Sequence, residues 1–449
     1  MTLWWPLVVG LLLATGLQHL RGTRGGDRYR RGTMIAPGRA AHQRQRRVRI
    51  SSDASRLRLA GVPIALLDET KHFKLIGTTG TGKSTAIRQL LAQALARGDR
   101  AVVADPDSGY LASLAHRYRG DVILNPFDAQ SVQWDPFGEL DAPYDADLLA
   151  NALIPCCPDP AAQEWRSYAR TLVSSLLRRC QSHHGSSSEL WRLLAVAGPE
   201  ELRALLAGTP AQPFLEAENA RMFGSIRAVG VSAMAALEHV RRQRSQPFSV
   251  RRWIREGRGV LFVPYLASQI SALRCVISAW MRLAIFEAMS QPEGQDLRLW
   301  FVVDELDALG AIDGLKDALA RLRKFGGRCV LGFQSLSQVS TTYGTGEAQT
   351  IIENCGNTLI LRCSGSEQGG TSAFASRLIG EREVIRRQAS HSRDREGLFG
   401  RQSMRRSLQI SEQRLSESAV LASELEQLPD LRGYLKTASS PVWRPVRMQ

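Results

Sequence analysis

This 449-residue chain has neither a disulfide framework nor a complete zinc-ligand set. Its seven cysteines follow no regular spacing, which fits a reducing compartment. Cys180, His183 and His184 cluster, but a tetrahedral zinc site needs a fourth ligand and none lies nearby. Long apolar runs are equally scarce. The one present, Leu3 to Leu17, is uncharged and is preceded by Met1 and Thr2 alone. It therefore has no positive segment ahead of it, as a cleaved signal peptide would. Extended to Leu20, it approaches the ~20 residues a bilayer requires. Acid is nearly missing from the stretch that follows. Arg21 to Arg49 holds ten arginines against the single acid Asp27, the composition of an unstructured basic linker. Arginines directly after an apolar run place the remainder on the cytoplasmic side. Residues 1–20 are thus expected to form one N-terminal transmembrane anchor, with Trp4 and Trp5 at the far interface, and residues 21–49 a linker.

The rest of the chain is long enough for two or three domains, and 44% hydrophobic residues agree with packed cores. A net charge of +15 points to an anionic partner, either nucleic acid or an anionic membrane surface.

The segment "LIGTTGTGKSTAIRQLL" fits G-x-x-x-x-G-K-[ST] over Gly77 to Ser84. Its surroundings are those the motif requires. Phe73 to Ile76 reads as a buried strand, and Ala86 to Arg97 carries Ile87, Leu90, Leu91, Ala94 and Leu95 at helical spacing before Gly98. A glycine-rich turn between strand and helix aims backbone N–H groups at phosphate oxygens. The phosphate-binding set is Gly77, Thr78, Thr79, Gly80, Thr81, Gly82, Lys83, Ser84 and Thr85. Lys83 would reach the β- and γ-phosphates of ATP, and the Ser84 hydroxyl would ligate Mg²⁺.

A second strand ending in acid is needed to complete such a site. "LRLWFVVDE" supplies it, with Leu299 to Val303 wholly apolar and Asp304 and Glu305 at its end. Asp304 would hold the metal hydration shell, and Glu305 would act as general base on the attacking water. Further short apolar strands read at 101–104, 122–124, 260–263, 329–333 and 358–361, as in a parallel sheet covered on both faces. Gln334 stands at the carboxyl end of one of them, where open α/β sheets bind ligands, and can sense the γ-phosphate.

No strand reads between about Ala142 and Arg241. Asp159 and Pro160 open a helix, with Trp165, Ala169, Leu172, Val173, Leu176 and Leu177 on one face. Arg166, Arg170 and Arg178 line the other face and either contact nucleic acid or are simply solvated. The expected architecture is α/β, with a nucleotide-binding domain over 50–140 and 243–449 and an all-helical domain, 141–242, inserted between. The stretch "RRQASHSRDREGLFGRQSMRRS", Arg386 to Ser407, has no sustained periodicity and reads as a mobile loop.

With these residues in place, the chain resembles the conjugative coupling proteins of type IV secretion, the TraD/TrwB family. The resemblance is carried by "GTTGTGKST", "GDRAVVADPDSGY", "ILNPFDAQSVQWDPF", "MFGSIRAV", "PFSVRRWIREG", "WFVVDELDALGAI", "RKFGGRCVLGFQSLSQ", "AQTIIENCGNTLILR" and "LIGEREV". It runs from about Arg47 to Tyr434. It implies a RecA-like P-loop NTPase domain with an inserted all-α domain and a homo-oligomer, a hexameric ring, at the bacterial inner membrane. It also implies ATP hydrolysis that drives single-stranded DNA, with its bound relaxase, from the relaxosome toward the channel proteins of type IV secretion. Through "ARLRKFGG", Arg323 takes the place of an arginine finger reaching a neighbouring subunit's nucleotide; the same residue otherwise reads as an exposed helix charge. Two departures stand out. The family usually has two membrane helices where this chain has one apolar run, so either the start is internal or the anchor is short. It also lacks the long acidic tail that some members use to dock the relaxosome.

Two other functions remain open on sequence grounds. A double-stranded DNA translocase of the FtsK-like type shares the ATP chemistry, but a larger membrane region and a winged-helix end are not visible. A docking receptor that uses ATP only to fix its oligomeric state is opposed by the intact Lys83, Asp304 and Glu305.

Overall fold

The computed structural model describes residues 28–36, 56–157, 159–183, 185–294, 296–367, 369–396 and 403–448. The expected anchor, residues 1–20, lies outside these, as do most of the linker and His184. Among the described residues no helix is long and apolar enough to cross a membrane.

The chain divides into two compact units, the larger comprising 36–375 and 422–449. Nine strands of one sheet lie at its centre: β1 (Phe73–Ile76), β2 (Arg100–Pro106), β3 (Val122–Ile123), β4 (Val260–Tyr265), β5 (Leu299–Val303), β6 (Gly327–Phe333), β7 (Asn357–Ile360), β8 (Arg432–Lys436) and β9 (Val442–Arg447). Their order is β9-β8-β7-β1-β6-β5-β2-β4-β3. From β7 through β3 every pairing is parallel, while β8 and β9 are added antiparallel at the β7 side. Strands β1, β4, β5 and β6 are buried along their whole length. Both faces are covered, so no polar alternation is required. The two charged residues in these strands are paired, Lys74 with the Ile352 and Cys355 carbonyls and Arg328 with Glu69 and Asp296.

Helix α1 (Lys83–Ala96) follows β1 and lays Ala86, Ile87, Leu90, Leu91 and Ala94 on a core that includes Leu75, Val103, Val302, Val330 and Leu359. Ile87, Leu90 and Leu91, fully buried, contribute about 1.5–3 kcal/mol each. That burial holds the helix even though its first turn has no side-chain cap. Helix α2 (Gly109–Leu114) follows β2.

Between the short strands Gln133–Trp134 and Pro247–Phe248 the described residues form helices alone, including Asp145–Leu153, Pro160–Ser182, Ser187–Ala195, Ala220–Ala233 and Ala236–Val240. Those two strands pair in parallel and clasp the neck of the insertion. Asp159 caps the long helix as its sequence implies, accepting from the Ala161 N–H at 3.2 Å. The arginine face of this helix is engaged internally. Arg166 and Arg170 donate to the carbonyls of Pro155 and Ile154 at 2.7 and 2.6 Å, and Arg178 pairs with Asp147.

The smaller unit takes in the described residues 28–35 and 376–421. Here the expected loop is instead a long antiparallel hairpin, Glu381–Glu396 with Ser403–Ser418. The expected unstructured linker contributes an edge strand, Arg28–Gly32, paired to the hairpin's first strand. The cause is charge pairing across strands: Arg30 and Arg31 meet Glu383, Arg382 meets Glu417 at 2.8 Å, and Arg387 meets Glu412 at 2.8 Å. Such pairs support a ribbon that has little apolar surface to bury.

Candidate nucleotide site

The site assembles at the carboxyl ends of β1, β5, β6 and β2. The turn from Gly77 to Gly82 is held from several sides. Gly77 N–H donates to the Phe333 carbonyl at 3.3 Å and Thr78 N–H to that of Arg362 at 2.9 Å. The Thr81 hydroxyl closes the turn on the Thr78 carbonyl at 2.7 Å, and the Leu431 N–H reaches the Thr81 carbonyl at 3.0 Å. Gly82 has φ +109°, and a Cβ there would lie 2.7 Å from Leu431 and Met448 side-chain carbons. Only glycine meets both demands. Thr79 and Gly80 are exposed at the tip, and Thr85 is half-buried in the first turn of α1.

Lys83 is 6% exposed, and its ammonium donates to the Gly77 and Thr78 carbonyls at 2.6 and 3.1 Å. Burial pushes its pKa down, and the Asp304 and Glu305 carboxylates oppose that shift. Ser84 Oγ donates to Asp304 Oδ2 at 2.5 Å, so the loop and the acidic strand are joined directly. Asp304 is 3% exposed, and its Oδ1 is buried with no hydrogen-bond partner. An orphaned buried carboxylate oxygen beside a serine hydroxyl suits a Mg²⁺ shell completed by water and phosphate oxygens. Among the described residues there is no group of three His, Cys, Asp or Glu able to hold a metal ion, so a hard cation shared with phosphate fits better than a protein-caged one.

Gln334 bridges the two halves. Its Nε2 donates to Glu305 Oε1 at 3.1 Å, and its Oε1 accepts from Thr79 Oγ1 at 2.8 Å. Burial raises the pKa of Glu305, with Asp304 and Asp307 adding to the rise and Lys83 and Gln334 opposing it. Gly332 lets β6 close in on this turn: a Cβ there would meet the Asp304 carbonyl oxygen at 2.2 Å.

Arg323 is not part of this cluster. It follows α3 (Leu315–Leu322), is exposed, and begins the short 3₁₀ turn Arg323–Phe325. That turn precedes the amino end of β6, whereas Gln334 follows its carboxyl end. At ~3.3 Å per strand residue the length of β6 alone separates the two by about 20 Å.

Two residues that sequence reasoning does not single out complete the site. Tyr110 OH donates to Asp304 Oδ2 at 2.9 Å. Asp105, the penultimate residue of β2, accepts the Tyr110 and Leu111 N–H groups at 2.9 and 2.7 Å and so sets the start of α2. Burial pushes its carboxyl up to about 6 despite those two bonds. The carboxyl-end rule that selects Gln334 applies equally to Asp105 and was the signal available for it.

A parallel sheet with a glycine-rich phosphate turn, a buried lysine and an acid-ended neighbouring strand defines an α/β nucleotide-binding protein. The family model for the type IV secretion-system coupling protein DNA-binding domain matches residues 56–449. The chain belongs to that family. It is 31% identical over 392 residues to the coupling protein TraD of Escherichia coli (strain K12), covering 85% of this chain and 53% of TraD. It thus spans about half the length of that relative. Among solved structures, the unbound conjugative coupling protein TrwBdeltaN70 superposes with a TM-score of 0.82 at 31% identity, covering 94% of this chain and 93% of that one. TrwB in complex with ADP and Mg²⁺ gives 0.80 at 31% identity, with 94% of each chain covered. The α/β nucleotide-binding fold with its all-α domain is the fold of these proteins.

Proposed function

We propose that the protein is a membrane-anchored coupling ATPase, which brings relaxase-bound single-stranded DNA to a type IV secretion channel and drives it onward by ATP hydrolysis. The carrying observation is the direct Ser84–Asp304 bond, with Lys83, Glu305 and Gln334 around it. In this reading Lys83 and the uncapped first turn of α1 bind the phosphates. Ser84 and Asp304 hold Mg²⁺, which when bound offsets charge on the phosphate oxygens. Glu305 takes the proton of the attacking water, and Gln334 orients Glu305 from the loop side. The binding of ADP with Mg²⁺ by TrwB supports the choice of ligand.

The finer reading follows the family. Residues 1–20 anchor the chain in the inner membrane, 50–140 with 243–449 form a RecA-like motor, and 141–242 face the cytoplasm. Six subunits form a ring in which Arg323 serves the next subunit. The discriminating experiment is ATP hydrolysis by the full chain in detergent, with and without DNA. Stimulation by single strands is expected. Stimulation by duplex alone would favour a double-strand translocase, and hydrolysis indifferent to DNA would favour a docking receptor.

A further inference from the structure

With Arg166, Arg170 and Arg178 engaged inside the insertion, a nucleic-acid contact has to be sought elsewhere. One groove has the required chemistry. It lies where the turn after β3 meets the end of the helix Ala236–Val240, and it is an open groove of ≈ 470 Å³. Phe127 lines it, 41% exposed, with its ring 4.6 Å from that of His239 and inclined by 51°. Arg242 and Arg244 line the same groove. Arg242 is paired with Glu238. Arg244 is exposed and has no ion pair or hydrogen bond among the described residues.

The turn that presents Phe127 is tied by hydrogen bonds to the sheet that carries the nucleotide site. Asn125, buried, accepts from the Phe127 N–H at 2.8 Å and donates to the Pro264 carbonyl at 2.9 Å. Pro264 lies opposite Asp105 in the β4–β2 register. Asp105 holds the Tyr110 N–H, and Tyr110 holds Asp304. An exposed phenylalanine ring backed by the half-buried His239 on such a base, flanked by arginines, matches how single strands are bound without sequence preference: bases stack on rings and phosphates meet cations. Duplex DNA, whose bases are already stacked, cannot use the ring.

We infer that this groove is a binding site for single-stranded nucleic acid, in which a base stacks on Phe127, backed by His239, and the adjoining phosphates are met by Arg244 and Arg242. The inference rests on the coupling reading for the identity of the polymer. It predicts different losses from its two kinds of contact. The test is fluorescence anisotropy of a labelled oligo(dT) with the full chain in detergent, repeated across salt concentrations. Phe127→Ala should weaken binding roughly 5- to 150-fold with the salt slope unchanged, and Phe127→Trp should restore it. Arg244→Ala should instead lower the salt slope by about 0.7. Because both side chains are exposed, melting profiles of the variants should match the unmodified protein. Should Phe127→Ala prove unstable, Phe127→Trp and Arg244→Ala still decide the question.

Unchanged oligo(dT) affinity in Phe127→Ala, alongside tight binding by the unmodified chain, would overturn the groove and leave the coupling reading intact. Lost relaxase capture with unchanged oligo(dT) binding would reassign the groove to a protein. Failure of the unmodified chain to bind any single strand would remove both the groove and the coupling reading.

Discussion

Ser84 and Asp304, 220 residues apart in sequence, share a hydrogen bond of 2.5 Å, and Tyr110 donates to the same Asp304 oxygen at 2.9 Å. One carboxylate oxygen thus accepts two hydroxyls while the other has no partner. The arrangement fixes the carboxylate plane before any cation is present. Tyr110 acts through Asp304 and is a positioning residue.

Tyr110→Phe is therefore expected to raise the Mg²⁺ concentration needed for half-maximal hydrolysis. Loss of an outer hydrogen bond to a metal-holding group typically costs ~10–100-fold in metal affinity or activity. A Mg²⁺ titration at saturating ATP separates this from a packing defect, which would lower the maximal rate without moving the midpoint. An unmoved midpoint would reduce Tyr110 to a core tyrosine.

Glu305→Gln should bind nucleotide and lose turnover by about 10²–10⁴-fold, the usual worth of a general base. A pH profile adds a second check. A base must be deprotonated, so the rate falls as pH drops through its pKa, which burial, Asp304 and Asp307 have already raised. The Gln334 hydrogen bond opposes that rise. In Gln334→Ala the acid limb should therefore move to higher pH. A limb that stays in place would mean that Glu305 does not set it.

The parts of this site that were legible in the sequence are those where one physical demand dominates. Leu299–Val303 is a strand over the limits that its apolar run marks, because burial on both faces disfavours polar residues. Phe73–Ile76 keeps its limits too, although Lys74 within it is buried against the Ile352 and Cys355 carbonyls. Asp304 and Glu305 draw notice because two carboxylates close a wholly apolar strand in a chain holding a phosphate loop, and the structure places Asp304 on Ser84 and Glu305 on Gln334. Tyr110 does not: it reaches Asp304 through a fold in which β2 lies beside β5, and nothing local announces that contact. The hairpin of Glu381–Glu396 and Ser403–Ser418 was hidden for another reason. Its cross-strand Arg–Glu pairs leave no apolar alternation to read. Helix α3 ends more locally, tightening into the 3₁₀ turn Arg323–Phe325 that Gly326 closes at φ +71°.

His72 gives a stability prediction with a definite sign. It is buried with φ +56°; its Nδ1 accepts from the Cys329 N–H at 3.1 Å, and its Nε2 lies 2.8 Å from the Leu319 carbonyl. That pattern requires the neutral ring protonated at Nε2. Burial lowers its pKa to about 4, with Arg323 and Arg328 adding to the shift. The unfolded chain then binds more protons between about pH 6.5 and 4, so His72 contributes stability that is complete above that window and is lost as pH falls through it. The shift corresponds to ~3 kcal/mol. His72→Asn tolerates the left-handed backbone; it should be less stable at pH 7 and show a flatter decline of melting temperature from pH 6.5 to 4. Parallel declines in the two proteins would show that His72 is not the titrating group.

Arg323 carries the last prediction, which joins the chemistry to the assembly. It lies at the far end of β6 from Gln334, beyond reach of its own chain's Lys83 and Glu305. If it acts on ATP at all, it acts on a neighbour's, and each working site is built from two chains. Hydrolysis should then rise more than linearly with protein concentration, and single-stranded DNA should steepen that rise by templating assembly. Arg323→Ala should bind nucleotide normally and hydrolyse it poorly, since an arginine finger is worth ~10³–10⁵ in rate. Lys83→Ala subunits are inactive at their own phosphate loop but still present Arg323. Mixed with Arg323→Ala subunits, they should restore part of the activity, because one class of interface again pairs an intact loop with an intact finger. Sedimentation of the mixtures establishes co-assembly, and the recovered rate should peak at intermediate ratios. Co-assembled mixtures with no recovery at any ratio would leave Arg323 as a surface charge.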